Sequence, residues 1–340
     1  MHTAAFEYRL PPELIAQEPL ADRSASRLLM VRRETGSCHD ARFAELPSLL
    51  SPGDLLVVNT TKVRHARLLG RRPSGAPAEV LLIHPGEGDT WVAMGKPGSA
   101  LRPGKRIGLG ADVWIETVEV LAEGHRRVRF VGATAEEAIR RLGRLPLPPY
   151  ITRAPAPLDD ERYQTVYAER EGSVAAPTAG LHFTPRLLAD IAARGAGLAR
   201  IELEVGPGTF KPVEVEEPAE HPMHPERYHI PPAAADAIRD AKRAGGRIWA
   251  VGTTVVRALE SSAAADGQVR AGSAETRLLI LPGFRFRVVD RLITNFHLPR
   301  STLLMLVAAF AGYETTMAAY RHAVEQRYRF YSYGDAMVVI

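Results

Sequence analysis

The sequence predicts a mixed α/β fold in which a large α/β domain carries an inserted small all-β barrel. Helical and strand-like segments alternate through the C-terminal part of the chain, which is typical of a mixed α/β body. Residues 64–131 instead hold short segments rich in β-branched and aromatic residues, separated by turns that contain Gly or Pro. We therefore expect residues 1–63 and 148–340 to form the large domain and residues 64–147 to form the barrel domain.

Periodicity and capping residues predict the elements of the large domain. The apolar run at residues 55–58 predicts a buried strand, and ARIELEV predicts another. Thr184 followed by Pro185 predicts the start of an amphipathic helix. PPAAADAIRDAKRAGG predicts a helix that ends at Gly, and STLLMLVAAFAG predicts a buried helix capped by Ser301 or Thr302.

The barrel domain is predicted from the segments EVLLIH, TWVAM, KRIGL, DVWIETVEVL and RRVRFV. TAEEAIRRLG then predicts a short helix with Thr134 as its N-cap and Gly143 as its end. The next segment, LPLPPYI, cannot continue a helix because proline lacks the backbone N–H and restricts the residue before it. This segment is expected to mark the return to the large domain.

Composition indicates a globular protein of a reducing compartment. The chain has 340 residues, of which 46% are hydrophobic and 24% charged, so it can bury a large core. The first residues, MHTAAFEYRLPPEL, lack the apolar stretch of a signal peptide, and Cys38 has no second cysteine for an intrachain disulfide. The apolar run at residues 303–311 is much shorter than the ~20 residues that cross a bilayer. We expect a cytoplasmic monomer without a membrane anchor.

Basic residues are clustered although the net charge is only +4. The first cluster comprises Lys62, Arg64, His65, Arg67, Arg71 and Arg72, and the second comprises Arg126, Arg127, Arg129, Arg140, Arg141 and Arg144. Such clusters either contact nucleic-acid phosphates or form an ordinary solvated surface. Charge alone leaves both interpretations open.

A methyltransferase-like motif is present but incomplete. In IELEVGPGTF, a strand-like run precedes Gly206 and Gly208, as in the turn that holds S-adenosylmethionine in class I methyltransferases. That turn needs a third glycine and a helix directly after it. Phe210 stands there instead and begins a segment that looks extended. The motif therefore does not predict a methyltransferase fold.

Metal and nucleophile sites are also weakly indicated. EHPMHPERYH offers His221, His224, Glu226 and His229 as ligands, but its prolines prevent the fixed spacing of a helix face. A polar rim of an active site is the favoured interpretation, and no metal is expected. Cys38 stands beside a histidine and an aspartate, yet residues adjacent in sequence seldom converge as a catalytic triad.

Four polar segments built from small residues interrupt apolar surroundings and predict a shared ligand site. They are GSVAAPTAGLHFT, VGPGTFKPV, VGTTVVRALE and TNFHLPRST. Each follows a strand-like run, and ligands of α/β sheets bind in crevices at strand ends. Small residues let the backbone approach a ligand closely, and N–H groups at helix starts bind polar or negative groups.

These segments resemble, in order, those of the S-adenosylmethionine:tRNA ribosyltransferase-isomerase family of queuosine biosynthesis. The resemblance runs essentially end to end and includes YRLPPELIAQEP, SRLL, PGDLLVVNTTKV, PLPPYI, RYQTVYA, EHPMHPE and YRFYSYGDAM. The fold that it implies is a large mixed α/β domain with an inserted β-barrel. One departure is Glu204, which stands before VGPGTF where the family usually has histidine. This departure weakens any essential catalytic role for that position.

The resemblance implies transfer of the ribosyl part of S-adenosylmethionine to 7-aminomethyl-7-deazaguanine at the tRNA wobble position. The products would be epoxyqueuosine-tRNA, adenine and methionine, so S-adenosylmethionine would be a consumed substrate and no cofactor would be needed. The chemistry requires a base for the acidic hydrogens beside the sulfonium, an acid for the leaving adenine and a neutral substrate amine.

Residue roles follow from this implied reaction. His182 and His297 are hypothesised to supply acid–base function, because histidine titrates near neutral pH; the alternative for each is a hydrogen bond that fixes a loop. Arg257 is expected to pair with the methionine carboxylate, and Asp290 or Asp335 with an ammonium group. Further substrate contacts are expected at Thr178, Ala179, Gly180, Gly206, Gly208, Thr209, Gly252, Thr253, Thr254, Thr294 and Asn295.

The RNA is expected to be held by other residues. Tyr163, Gln164 and Phe183 are predicted to contact the flipped-out base, because a wobble nucleotide must be unstacked for its ring to be reached. Lys62, Arg64 and Arg67, with the basic residues of the insert, are predicted to bind the tRNA anticodon arm. The competing hypotheses are a class I RNA methyltransferase and a noncatalytic RNA-binding module.

Overall fold

The computed structural model describes residues 1–210 and 212–340. Its strands are β1 (Arg27–Val31), β2 (Cys38–Arg42), β3 (Leu55–Asn59), β4 (Thr61–Val63), β5 (Arg67–Arg71), β6 (Pro77–Pro85), β7 (Thr90–Lys96), β8 (Arg106–Gly110), β9 (Val113–Val120), β10 (Arg126–Val131), β11 (Gly143–Arg144), β12 (Arg170–Ser173), β13 (Gly197–Leu203), β14 (Glu226–Ile230), β15 (Ile248–Val251), β16 (Gly272–Thr276), β17 (Arg291–Asn295) and β18 (Ala336–Val339). Its α-helices are α1 (Ala135–Leu142), α2 (Pro157–Arg162), α3 (Pro185–Ala193), α4 (Pro232–Arg243), α5 (Thr253–Ser262), α6 (Thr302–Ala311) and α7 (Tyr313–Glu325). The predicted mixed α/β class is confirmed.

A nine-stranded sheet forms the centre of the large domain. Its strand order is β16-β14-β13-β3-β15-β17-β18-β1-β2. Within it, β13, β3, β15 and β17 are consecutive parallel neighbours. Parallel strands end at the same edge of a sheet, so the loops that follow these four strands leave the sheet side by side.

Both faces of this sheet are covered. Leu55 and Val57 of β3 pack in one apolar cluster with helices α4 to α7, whereas Leu56 and Val58 pack in a second cluster with α3. Successive side chains of a strand point to opposite faces, so one strand contributes to both clusters. The complete burial of β3 is typical of a central parallel strand.

The predicted helix caps are confirmed. Thr134 Oγ1 accepts a hydrogen bond from the Glu137 backbone N–H at the start of α1 (3.2 Å). Thr184 caps α3 in the same way, and Ser301 Oγ accepts from the Leu304 N–H at the start of α6 (3.2 Å). Each cap satisfies a backbone N–H that has no partner inside its helix.

Strands β5 to β11 form a separate antiparallel sheet that closes into a barrel. Its order is β11-β5-β6-β7-β10-β9-β8, and a further pairing joins Arg71 of β5 to Gly108 of β8. A Cβ atom at Gly70 would lie 2.7 Å from the Gly108 carbonyl oxygen, so closure at this point requires glycine. The barrel is confirmed, and its boundaries at residues 63/64 and 147/148 stay a prediction.

The longest apolar run lies in the core of the large domain. Helix α6 buries Leu304 and Met305 against the central sheet. Across residues 1–210 and 212–340, no single helix is long and apolar enough to span a bilayer, and α6 and α7 reach that length only together, with a bend of 116° between them.

Candidate active site

A cavity of about 630 Å³ opens at the ends of three of the parallel strands, β13, β15 and β17. Its wall combines parts of all four segments singled out in the sequence. The lining residues are Tyr150, Ala176, Pro177, Thr178, Ala179, Val205, Thr209, Gly252, Thr253, Thr254, Thr294, Asn295, Phe296, His297, Leu298, Ser301, Leu303, Tyr331 and Ser332. Within the described chain, this wall contains no Asp, Glu, Lys or Arg side chain. A ligand in this cavity therefore meets a polar but uncharged surface.

The turn from β15 to α5 forms one side of the cavity. Gly252 has a φ of +94°, a conformation that L side chains rarely adopt, and its N–H donates to the Ile293 carbonyl oxygen (2.8 Å). This turn places Thr253 and Thr254 at the start of α5 on the cavity wall. The Thr254 hydroxyl is buried and has no hydrogen-bond partner among the residues described. A ligand atom can supply that partner.

Hydrogen bonds fix the side chain of Asn295, the last residue of β17. They leave its amide oxygen without a partner among the described residues. Its Nδ2 donates to His182 Nε2 (3.1 Å) and to the Tyr331 carbonyl oxygen (3.2 Å). Its Oδ1 is buried and accepts no hydrogen bond from any described residue. Buried polar atoms are nearly always paired, so this oxygen is an acceptor available to an N–H or O–H donor of a ligand.

His182 is fully engaged with the protein. Because Asn295 Nδ2 donates to Nε2, the ring proton lies on Nδ1 and is donated to Ser26 Oγ (2.7 Å). Burial lowers the pKa of His182 to about 3, and the nearby positive charges of Arg23 and Arg329 add to this effect. The geometry favours the loop-fixing alternative: His182 positions Asn295 and has no ring nitrogen left for a substrate.

His297 is the histidine whose ring reaches the cavity wall. Its Nε2 and Thr294 Oγ1 lie 2.7 Å apart, and its backbone N–H donates to the Tyr320 hydroxyl (2.9 Å). Burial lowers the pKa of this imidazole to about 3. His297 is therefore neutral at physiological pH, and the structure brings it together with Thr178, Thr294 and Asn295.

Acidification is expected to destabilise the protein through these two histidines. Between pH 6.5, the usual pKa of histidine, and about pH 3, the unfolded chain binds protons that the buried rings do not. The contribution of these two neutral rings to the free energy of unfolding is fully present above pH 6.5. It is lost as the pH falls through this window. His297→Gln removes one of the two groups, so the free energy of unfolding should fall less steeply with acidification than in the wild type. Urea denaturation at stepped pH tests this, and equal slopes would contradict a buried neutral ring.

Three charged side chains predicted to contact the substrate do not line the cavity. Arg257 does not line the cavity: its Nη1 donates to Glu226 Oε2 and its Nε donates to the Leu278 carbonyl oxygen (3.1 Å). Asp290 accepts a hydrogen bond from the N–H of Ile248, the first residue of β15, at the opposite edge of the sheet (2.8 Å). The side chains of Arg257 and Asp290 thus form hydrogen bonds outside the cavity.

Asp335 is also absent from the cavity wall. Its two carboxylate oxygens accept backbone N–H groups of Arg27 and Arg329, both at 2.8 Å. Burial raises the pKa of this carboxyl group, although the backbone hydrogen bonds act in the other direction. Asp335 therefore fixes the C-terminal loop, and its carbonyl oxygen lies 3.4 Å from Asn295 Nδ2.

The aromatic contacts predicted for a flipped-out base are not available. Tyr163 and Phe183 are fully buried in apolar clusters. The Gln164 amide accepts from the Val63 N–H and donates to the Val63 carbonyl oxygen, both at 2.9 Å. None of these three side chains lines the cavity. They pack against or hydrogen-bond to residues outside the cavity wall.

The predicted glycines divide into two groups. Gly252 lines the cavity, whereas Gly180, Gly206 and Gly208 do not. A Cβ atom at Gly180 would lie 2.2 Å from the Tyr167 hydroxyl, and one at Gly208 would lie 2.5 Å from the His224 ring. Glycine is needed at these two positions because a side chain would collide with neighbouring residues of the protein.

The three residues predicted to bind RNA lie where the large domain meets the barrel, away from the cavity wall. Lys62 Nζ is 3.7 Å from a carboxylate oxygen of Glu171, and Arg67 is 2.7 Å from Glu79. The Arg64 guanidinium lies over the Trp91 ring, with its carbon 5.0 Å from the ring centroid. Their role in RNA binding stays a prediction.

The methyltransferase-like turn does not have the geometry of its motif. Gly206 precedes a short 3-10 helix, Pro207–Phe210, that contains Gly208, and no α-helix starts there among the described residues. In the described part of the chain, no group of three or more His, Cys, Asp or Glu side chains is placed to hold a metal ion.

A sequence model described as queuosine biosynthesis protein matches residues 3–339. The chain belongs to this family. Proteins named S-adenosylmethionine:tRNA ribosyltransferase-isomerase are among its relatives: that of Symbiobacterium thermophilum is 52% identical and that of Moorella thermoacetica 51%, each alignment covering 100% of both chains. A crystal structure of S-adenosylmethionine tRNA ribosyltransferase from Thermotoga maritima is 37% identical, with a TM-score of 0.58 over 99% of this chain and 100% of that one. As a member of this family, the chain is an enzyme.

Several cavity residues of this family member were not predicted from the sequence. They include Tyr150, Val205, Phe296, Leu298, Ser301, Tyr331 and Ser332. PLPPYI and YRFYSYGDAM, which carry Tyr150, Tyr331 and Ser332, were available as signals because both segments contribute to the resemblance. Glu204, the departure from the family pattern, precedes Val205 but does not line the cavity.

Proposed function

We propose that this enzyme transfers and isomerises the ribosyl moiety of S-adenosylmethionine onto 7-aminomethyl-7-deazaguanine at the tRNA wobble position. The products are epoxyqueuosine-tRNA, adenine and methionine. Family membership supports the reaction class. The observation that carries the proposal is the convergence of Thr178, Thr209, Thr254 and Asn295, each from a different segment, on one cavity.

The uncharged cavity suits the required nucleophile. A substrate amine attacks only as the free base, and a surface without carboxylates does not stabilise its ammonium form. Partial burial favours the neutral amine further, because desolvation penalises a charge. This reasoning supports a cavity that favours the neutral amine because its wall is uncharged, without a carboxylate base.

Two side chains are proposed to contact the reacting nucleoside. Asn295 Oδ1 accepts a hydrogen bond from a nucleoside N–H or O–H group, since it lacks any partner among the described residues. His297 acts as a neutral imidazole and is the candidate for proton transfer at the ribose or at adenine. His182 acts through Asn295 as a positioning residue.

The tRNA is proposed to approach from the side of the barrel. Arg140, Arg141 and Arg144 are exposed on or next to α1, and Lys62 is partly exposed. Exposed basic residues of this kind bind phosphates and release counterions, a gain that added salt reduces, so the affinity for the anticodon arm should fall as salt rises. No metal or cofactor takes part in the proposed reaction, because S-adenosylmethionine is consumed as a substrate.

Mass spectrometry of tRNA and of the released small molecules tests this function. Incubation with S-adenosylmethionine and tRNA that carries 7-aminomethyl-7-deazaguanine should add a ribosyl-derived group and release adenine and methionine in equal amounts. The matched control is the same tRNA with guanine at the wobble position, which lacks the aminomethyl group and should not react. A single methyl gain with S-adenosylhomocysteine would indicate a methyltransferase. Unchanged tRNA would indicate a binding module, and either result would refute the proposal.

A further inference from the structure

A second, smaller cavity of about 280 Å³ lies on the other side of His182. It adjoins the first cavity, because Ser332 lines both. His182 lines the second cavity while Asn295, its hydrogen-bond partner, lines the first. The two cavities are therefore adjacent at Ser332, close enough for the two ends of one extended ligand.

Two arginines on the wall of the second cavity have no carboxylate partner. Arg162 is only 9% exposed; its Nη1 donates to the Ala21 carbonyl oxygen (3.1 Å), and its Nε is buried without any partner. Arg23 donates only to backbone carbonyl oxygens, including that of Leu181 (3.1 Å). Neither guanidinium forms an ion pair with any acidic side chain in residues 1–210 and 212–340.

Asp159, which contacts Tyr333 on this wall, is already paired. Asp159 accepts two hydrogen bonds from Arg153 (2.7 Å each) and one from the Tyr333 hydroxyl (2.7 Å). Glu161 acts on the charge of Arg23 only through a longer-range electrostatic interaction, and within the described residues neither Arg23 nor Arg162 has a direct ion-pair partner. A buried charge without a partner is costly, and a pair of like charges more so, so this cavity is built to receive an anion.

We propose that the second cavity binds the carboxylate of the methionine part of S-adenosylmethionine while the first cavity holds its nucleoside. This inference rests on the function proposed above. A guanidinium pairs with a planar carboxylate through two parallel hydrogen bonds, and the first cavity offers no charged group for that end of the ligand. Arg257, the arginine expected from the sequence to bind this carboxylate, is occupied by Glu226.

An RNA phosphate is the competing anion. A phosphate within a strand is joined to nucleotides on both sides, so it binds most readily to cations on an open surface. Arg162 on the wall of the smaller cavity is only 9% exposed, and such a buried guanidinium is easier to reach for the end of a small ligand than for a continuous backbone. The observations therefore favour the carboxylate.

Calorimetric binding of two nucleosides to the intact enzyme tests the inference. S-Adenosylmethionine carries the carboxylate, whereas 5′-methylthioadenosine has the same nucleoside without the amino-acid part. Arg162→Gln is expected to weaken S-adenosylmethionine binding by about 10- to 100-fold, the range for a charged hydrogen bond, and to leave 5′-methylthioadenosine binding within about twofold. Arg186→Gln, at an exposed position on α3, is the matched control and should change neither affinity.

Equal weakening of both nucleosides, or no weakening of either, would overturn the inference. So would a loss of affinity for a tRNA anticodon stem-loop with S-adenosylmethionine binding intact, since the anion would then be a phosphate. If Arg162→Gln does not fold by circular dichroism, Arg23→Gln, at a less buried position, provides the same comparison. A wild-type chain that binds neither nucleoside would refute the proposed function itself, which separates that failure from failure of this inference.

Discussion

Replacing Asn295 by alanine is expected to lower turnover by about 10²- to 10³-fold, the usual effect of removing one preorganised hydrogen-bonding group from an active site. The substitution removes the free Oδ1 acceptor from the cavity, and it also removes the donor that holds His182 Nε2. The affinity for tRNA should stay unchanged, because none of the residues proposed to bind RNA lines the cavity. Single-turnover kinetics with tRNA carrying the aminomethyl base, together with a tRNA binding assay, measure both quantities.

Asn59 provides a matched control for this substitution. It is the other asparagine of the chain, is also buried and ends β3, which is separated from β17 by β15, but it does not line the cavity. Its amide donates to the Leu203 carbonyl oxygen and accepts from the Leu203 N–H, both at 3.0 Å. Asn59→Ala should therefore reduce stability with a much smaller loss of turnover. Equal losses of turnover in the two variants would show that Asn295 matters only for folding.

Replacing Glu226 by leucine is expected to destabilise the fold by about 3 to 5 kcal/mol, the usual cost of leaving one member of a buried ion pair alone. Glu226 and Arg257 are 6% and 7% exposed at their side chains, so water cannot solvate the remaining guanidinium. The Arg257 Nη2 already lacks a partner among the described residues. Combining Glu226→Leu with Arg257→Met should recover most of the lost stability, since an apolar pair of similar volume carries no buried charge.

Urea denaturation of the two single variants and the double variant measures this coupling. A double variant no more stable than Glu226→Leu alone would contradict the ion-pair interpretation. Arg257→Met also tests whether Arg257 binds the carboxylate of S-adenosylmethionine. If this variant folded normally but lost affinity for S-adenosylmethionine and kept affinity for 5′-methylthioadenosine, Arg257 would be the carboxylate ligand and the second cavity would not.

The convergence of the four segments could be expected from the sequence, because local patterns determine where strands end. The apolar run at residues 55–58 became β3, and the segments after β13, β15 and β17 each carry Gly or Thr directly after apolar residues. Parallel neighbours place their ends at one edge, so the position of a ligand site follows once the strands are assigned.

Arg257 was expected to contact the substrate, and helix geometry explains why it does not line the cavity. Arg257 follows Thr254 by three residues on α5, which places both on nearly the same helix face. Three residues also advance about 4.5 Å along the helix axis, away from the end that meets the cavity. The long arginine side chain then meets Glu226 of β14, a partner whose position depends on a proline-containing segment that sequence reasoning could not trace.

Burial explains why the structure also places Phe183 and His182 differently from what the sequence predicted. Phe183 stands in a segment of small polar residues, and nothing local distinguishes a packed ring from an exposed one. His182 has the residue type of an acid–base catalyst, but its partner Ser26 lies 156 positions away, and its pKa of about 3 results from burial in the folded chain. Such properties arise from tertiary contacts, so local patterns do not contain them.

A crystal structure of the enzyme with S-adenosylmethionine bound is the most direct measurement of whether the converging loops form the substrate site. The nucleoside is predicted to lie between Thr178 and residues 294–297, with one of its N–H or O–H donors about 2.7 to 3.2 Å from Asn295 Oδ1. A nucleoside bound on another face of the molecule, with Asn295 Oδ1 still unpaired, would contradict the proposed site and the mechanism that depends on it.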